Sequence, residues 1–355
     1  MNFFHRYNNA TVILNNEFIF DPWLYGFLHN NNWIPHKKTL KKNQLKKVKY
    51  CFISHLHKDH WDLDTIKYFS KKTLFIIPKI KMNKVIEIYL RKSGYSNILY
   101  VNVGTKKFIK INNKYSISVV RPLNQNAQEA KNKVYKNRNI DIDNSCIVKI
   151  KNDNSHHLLL SDNSPYNHKV FFKDYKNLKI NTVWTPINGY AQDFPFCYDN
   201  FSLNEKKKII KEMNNKRQIF LIKFLQRLNP DLIIPYSSNF TLNSENKRMF
   251  YSAIDKRFID YKKYCNFFID KFKIKNIKHL EPQQTLYVGD NNYQIKSDNS
   301  QNIMSLQIKN LKNNFPKLSS NYNLNSLEDD LNTSLKSLKD RMKKFRFNTK
   351  KINQS

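Results

Sequence analysis

Cysteine is scarce in this chain: four among 355 residues, at positions 51, 146, 197 and 265. Thiols so few and so scattered do not make a disulfide scaffold, and with no Cys-x-x-Cys pair a zinc ribbon is excluded too. Reduced thiols are expected. Long apolar runs are also missing, and none approaches the roughly 18 residues of a membrane span. The opening segment MNFFHRYNNATVIL lacks the basic start, apolar stretch and small-residue cleavage site of a secretory signal, so a cytoplasmic protein is expected. Glycine is down to five, and Asp plus Glu number 28 against 62 Lys plus Arg, a formal charge of +34. Apolar residues are plentiful at 40%, with 14% aromatic, which is enough to bury a substantial core and excludes wholesale disorder.

The charge invites a nucleic-acid partner. Yet the lysines are spread along the whole chain, and they come with abundant Asn, Ile, Tyr and Phe. AT-rich codons produce that mixture by themselves, so compositional drift is the preferred explanation. A basic surface favours an anionic substrate in either case.

Turn signals and periodicity give the organisation. Thr11-Val12-Ile13-Leu14 and Glu17-Phe18-Ile19-Phe20 flank Asn15-Asn16, a two-residue hairpin signal, and Pro22 ends the second strand. Val48 to Ile53 is a buried strand that stops at a cluster of histidines. Asp62 or Asp64 caps a short helix after it. Leu74 to Ile77 is a strand, residues 79–93 a helix closed by Gly94, and two hairpins turn at Asn112-Asn113 and Asn152-Asp153-Asn154. Val183-Trp184-Thr185 and Asp231 to Pro235 are short strands either side of a helix over 203–228. Hairpins with single helices between them predict two mixed sheets covered by helices, not a doubly wound parallel sheet.

From about residue 296 the strand pattern stops. Ser326 caps a helix whose Leu327, Leu331, Leu335, Leu338, Met342 and Phe345 share a face, with acids at its start and bases at its end. Docking on its own domain is the simpler expectation for this basic tail, 296–355. A membrane surface or a partner is the alternative.

Chemistry concentrates in Ser54-His55-Leu56-His57-Lys58-Asp59-His60. Three of the chain's ten histidines fall within six residues, directly after a buried strand. In extended backbone His55 and His57 share a face, and Asp59 and His60 sit on the following turn. Imidazole and carboxylate are ligands of zinc and similar divalent ions, and a strand end is a rigid place to hold them.

This His-x-His-x-Asp-His motif after a hydrophobic strand resembles the metallo-β-lactamase-fold hydrolases. Asn9-Ala10-Thr11-Val12, Asp21-Pro22-Trp23-Leu24, Asp143-Asn144-Ser145, Leu160-Ser161-Asp162-Asn163, Ile234-Pro235-Tyr236 and Ser244-Glu245-Asn246 extend the resemblance over roughly 9–290. They resemble the CMP-N-acetylneuraminate hydroxylase-like branch and the related ascorbate-6-phosphate lactonase-like one. The resemblance implies an αββα sandwich over residues 1–295 with a di-metal site between the sheets, zinc first; departures in the ligand pattern leave one or two ions, and manganese or iron, as alternatives. It places His55 and His57 on a first ion, Asp59 and His60 on a second, and Asp162 between them. Asp59 is then the catalytic residue, positioning the second ion or accepting the proton of the attacking water.

The sequence departs from that pattern in two ligands. No histidine stands between His60 and the strand of Asp162, where Asp141 or Asp143 is a substitute, and Glu245 falls where a late histidine belongs. The hydroxylases' Rieske centre needs paired cysteines and histidines that are absent here, so their oxygen chemistry does not transfer. His279 is expected to be a surface or packing residue. The aromatic stretch from Trp184 to Tyr198, Trp184 and Tyr190 above all, is a candidate for stacking on a sugar or base, with a buried loop as the alternative. Asp21, Trp23 and Trp33 fall near the site if the fold is right. The expected activity is metal-dependent hydrolysis of a small anionic molecule: a sugar phosphate, nucleotide sugar or lactone. A nuclease or phosphodiesterase of the same fold, or a non-catalytic ligand- or partner-binding form, is the alternative.

Overall fold

The structure, a computed structural model, describes residues 1–28, 33–35, 40–123, 143–165, 167–186, 201–237, 241–242, 261–282, 284–289, 292–297 and 303–307. In chain order the elements are β1 (Asn2–Arg6), β2 (Val12–Leu14), β3 (Phe18–Phe20), β4 (Trp33–Ile34), α1 (Lys42–Leu45), β5 (Tyr50–Phe52), α2 (Leu63–Ile66), β6 (Leu74–Pro78), α3 (Lys84–Lys92), β7 (Ile98–Val101), β8 (Ile109–Lys110) and β9 (Tyr115–Val120). They continue with β10 (Ser145–Ile150), β11 (Ser155–Leu159), α4 (His168–Asp174), β12 (Thr182–Thr185), α5 (Leu203–Leu228), β13 (Leu232–Pro235), β14 (Thr241–Leu242), α6 (Tyr261–Phe272), β15 (Gln284–Gly289), β16 (Asn292–Ser297) and β17 (Ile303–Gln307).

Local chemistry explains several of these boundaries. Asn15 and Asn16 take φ of 51° and 56°, the left-handed pair that a type I′ turn needs, and β2 and β3 pair across them. Asp62 caps α2 by accepting the N–H groups of Asp64 and Thr65. Ser202 and Glu205 form a reciprocal capping box that starts α5 at Leu203. The helix expected over 79–93 begins as a 3₁₀ turn at Lys81–Asn83, and Gly94 after it has φ of 80°.

Among the described residues two mixed sheets form, in the orders β17-β16-β15-β1-β2-β3-β5-β6-β7 and β13-β12-β11-β10-β9-β8. Their facing sides meet in one core. Phe4, Val12, Leu14, Phe18, Phe20 and Phe52 come from the first sheet, and Tyr115, Ile117, Val119, Val148, Leu159 and Ile234 from the second. Strand alternation sends Ile13, Ile19, Cys51, Phe75 and Ile77 to the opposite face, where they pack with Leu45, Ile66, Ile86 and Leu90 of α1, α2 and α3. On the far side of the second sheet, Ser118 of β9 hydrogen-bonds the hydroxyl of Tyr175, at the end of α4, and Phe171 of α4 meets Phe224 of α5. The layers are therefore helix, sheet, sheet, helix, as expected.

The strands do not stop at 296. β16 runs to Ser297 and β17 pairs with it antiparallel, Tyr293 opposite Leu306. An edge strand needs a backbone partner on one side only, so a weak sequence pattern suffices for it. By compactness the chain divides into Met1–Asn314 and Phe315–Ser355. The tail helix expected around 326–345 lies outside the described residues, as do Asp141, Tyr190 and Glu245.

Candidate metal centre

The site grows where strand ends from both sheets reach the same edge. β3 leads to Asp21, β5 runs into Ser54–His60, β11 runs into Ser161–Asp162, β13 leads to Tyr236 and Ser237, and Asp143 precedes β10. Asn9, Asp21, Ser161 and Ser237 there have φ of 40°, 46°, 55° and 66°, positive values that non-glycine residues rarely hold. Four such residues at one edge mark a place where neighbouring contacts overrule backbone preference.

Asp21, almost fully buried, ties the two sheets together. Its Oδ1 accepts the Ser54 N–H at 2.7 Å, and its Oδ2 accepts the hydroxyls of Ser54 at 2.9 Å and Ser161 at 2.7 Å. With both hydroxyl protons given to Asp21, the serine oxygens serve as acceptors for imidazole. His55 Nδ1 lies 2.8 Å from Ser54 Oγ, and His60 Nδ1 lies 3.0 Å from Ser161 Oγ and 3.1 Å from Asp21 Oδ2. Each ring is thus held by Nδ1 and presents Nε2 inward, the tautomer in which an imidazole ligates through Nε2.

The inward atoms converge. His55 Nε2 is 2.9 Å from His57 Nδ1, 3.8 Å from Asp143 Oδ1 and 3.9 Å from Asp162 Oδ2. His60 Nε2 is 3.1 Å from Asp162 Oδ2 and 3.3 Å from Asp59 Oδ2. Two donor sets emerge, His55–His57–Asp143 and His55–His60–Asp162, with the atoms of each within 4.8 Å of one another. His55 belongs to both. Asp143, one of the two oxygen substitutes expected between the motif and Asp162, lies in the first set. Asp162 Oδ1 accepts the Ser237 hydroxyl at 2.6 Å, and Asp59 Oδ2 accepts the Asn9 amide at 2.9 Å.

Charge makes the same set suited to a cation. Burial, aided by the neighbouring His60, pushes His55 well below the usual imidazole range, which leaves its lone pair free at neutral pH. Burial pulls His60 down as well, but Asp162, Asp59 and Asp21 outweigh it and hold the ring well above its ordinary value. Burial works against an ionised Asp162, yet His60 and His55 keep its carboxyl far below the carboxylate range. A cluster of carboxylates that holds a proton on a buried imidazole is one that a divalent ion can stabilise instead. The residues fit a zinc-like ion by donor type, convergence and charge.

Other expected residues fall elsewhere. Trp184, a candidate for stacking on substrate, is fully buried between the sheets, its ring 5.5 Å from Phe4 and 5.8 Å from Tyr236. It faces the core because β12 is a central strand whose inward side meets the other sheet. Trp23 and Trp33 pack with Leu28 in a small cluster of their own. His279 pairs with Glu281 at 2.9 Å, away from the cluster. Sequence reasoning gave no role to Asn9, Ser54, Ser161 or Ser237. The first three lie within the family-like motifs and Ser237 just beyond Ile234-Pro235-Tyr236, and no spacing rule announces a single supporting side chain.

No family model matches the sequence. Among solved structures the chain is similar to a possible metal-dependent hydrolase from Veillonella parvula, with TM-score 0.53 and 16% identity over 81% of this chain and 99% of that one. The fold is the metallo-β-lactamase fold. An isothiocyanate hydrolase from Delia radicum gut bacteria matches this metallo-β-lactamase-type sandwich with TM-score 0.50 and 18% identity, over the same 81% of this chain and 99% of that one. In sequence, 245 residues are 25% identical to the cytidine monophosphate-N-acetylneuraminic acid hydroxylase of Danio rerio, covering 63% of this chain and 35% of that protein. The chain thus spans about a third of that relative's length.

Proposed function

We propose that this protein is a metal-dependent hydrolase acting on a small anionic molecule. The observation that carries the proposal is the convergence of His55, His57, His60, Asp143 and Asp162 at one edge, with His55 and His60 each held by Nδ1 and turned inward. A divalent ion held there supplies Lewis acidity, which acidifies water and offsets negative charge on the reacting group. Asp59, held by Asn9, is the group placed to accept a proton from the attacking water. Ser237 and Asn9 fix the two carboxylates, and Asp21 fixes the imidazoles. Zinc suits the donor set best, with manganese or iron next.

The likeness to the hydroxylase supports a nucleotide sugar among the candidate anions, beside sugar phosphates and lactones. The hydrolase body in this proposal extends past the expected residue 295 to include β16 and β17, and Phe315–Ser355 is a separate unit. The test is hydrolysis of a panel of such compounds by protein purified without chelators, together with elemental analysis. Metal-free protein with no turnover on any of them would remove the proposal.

A nuclease of the same fold is the second reading, favoured by the charge of +34. Phosphate contacts on a diffuse basic surface weaken steeply with salt, so such a surface binds nucleic acid poorly near physiological ionic strength. Metal-dependent cleavage of RNA or DNA at about 150 mM salt, lost in His57→Ala, would promote this reading over the first.

A further inference from the structure

Helix α3 buries one side and leaves the other bare. Ile86 and Leu90 are fully buried, whereas Met82, just before the helix, Val85, Ile88 and Tyr89 are 42%, 43%, 45% and 44% exposed. Steps of three and four residues set these four side chains along one ridge. Lys81 and Lys84 neighbour Met82 and Val85 in the chain, Lys92 lies one turn beyond Ile88, and Lys58 Nζ reaches the Tyr89 ring; all four lysines are exposed. Glu87, the acid within α3, is already engaged by Arg91 at 2.7 Å and by the Tyr100 hydroxyl at 2.6 Å. The ridge is therefore apolar in the middle and positive at its margins.

It also adjoins the metal centre. Lys58 stands between His57 and Asp59 in sequence, with its Nζ 4.5 Å from the Trp61 ring centre and 5.3 Å from that of Tyr89. Trp61 and Tyr89 meet edge to face at 5.7 Å. Phe27, 60% exposed, follows Gly26, whose N–H is held by Asp62, the residue after Trp61.

The chemistry of the ridge selects its occupant. Nucleic acid would engage the lysines and stack on Tyr89, but Met82, Val85 and Ile88 neither stack on bases nor bond to them, so most of the ridge would stay wet. A bilayer with anionic headgroups meets both halves: lysines at the phosphates, apolar side chains at the acyl boundary. We propose that the α3 ridge docks the protein on an anionic lipid surface, setting the exposed His57 edge of the metal centre close to the membrane.

Sedimentation of the full chain with vesicles tests this. One set is pure phosphatidylcholine and the other carries roughly 30 mol% phosphatidylserine, both at about 100 mM salt. Binding to the anionic set alone is expected. Val85→Glu/Ile88→Glu should weaken it about tenfold or more, and Lys81→Gln/Lys84→Gln by a similar factor. All four positions are exposed, and circular dichroism with metal content verifies that the variants fold. Should the glutamates disturb the helix, Ile88→Trp gives a second readout, whose added emission should shift to the blue on anionic vesicles. The proposal falls if neither vesicle binds, or if binding is indifferent to the Val85/Ile88 pair. An unshifted Trp at position 88 would equally overturn it, and so would binding to single-stranded RNA in place of vesicles.

Discussion

Asn9 donates its side-chain amide to Asp59 Oδ2 at 2.9 Å, linking the turn between β1 and β2 to the turn that carries the histidines. Asn9 holds a positive φ of 40°, and its own carbonyl accepts the Ser237 N–H at 3.0 Å. One residue thus fixes a carboxylate of the first sheet and reaches the loop that fixes Asp162 in the second.

Asn9→Ala should lower kcat by about 10- to 100-fold while His55 keeps its metal, because the orientation of Asp59 is lost and its ionisable group is not. Steady-state kinetics beside elemental analysis on the same preparation would show it. Loss of metal in step with activity would assign Asn9 a ligand-set role instead.

His55 and His57 should behave differently although they are two residues apart. His55 belongs to both donor sets and is fully buried, whereas His57 belongs to one and is exposed. His55→Ala is expected to remove all bound metal, and His57→Ala to leave a remnant at His60 and Asp162. Metal-to-protein ratios measured after gel filtration separate the two cases.

Asp59→Asn should abolish turnover more thoroughly than it depletes metal, since an amide cannot take up the proton of the attacking water. Wild-type turnover in this variant would discard the assigned role.

Trp184 is predicted to matter for stability and not for substrate. Trp184→Ala should cost about 3–5 kcal/mol, as large-to-small changes in a packed core do. Trp184→Phe, losing less volume, should fold and show an unchanged KM; a raised KM would bring the residue back to the substrate.

Acid should destabilise the protein partly through His157. Burial between the sheets pushes its imidazole down to about 3, and its nitrogens meet Ser155 Oγ and Thr182 Oγ1, both at 2.8 Å. In the unfolded chain the ring titrates near the ordinary value of about 6.5. Between those two values the unfolded state binds a proton that the native state refuses, so stability falls as pH drops through the window. Urea melts from neutral pH downward should show a steep loss in the wild type and a shallower one in His157→Gln. Equal slopes would place the acid sensitivity elsewhere.

Much of this architecture was legible because it is local. The Asn15-Asn16 turn, the Asp62 cap, the 203–228 helix and the histidine motif each need only a few neighbouring residues to declare themselves. The contact between His60 and Asp162 spans 102 positions, and nothing near either residue announces it; only the family resemblance joined them. Asp143 is one of two substitutes by sequence, and nothing local announces that its Oδ1 lies 3.8 Å from His55 Nε2. Trp184 misled because a tryptophan at a strand end, before a Thr-Pro turn, has the same sequence whether it faces a core or a ligand. β17 escaped notice since an edge strand borrows its order from its neighbour.

The seam that Asp21 makes with Ser54 and Ser161 has a consequence for how the chain matures. During synthesis His55, His57 and His60 leave the ribosome long before Asp162 and Ser237, so the nascent chain offers an open imidazole cluster with no second wall. Both donor sets take their carboxylate from the second sheet's side, Asp143 before β10 and Asp162 after β11, so neither set is complete until that sheet has closed over the first.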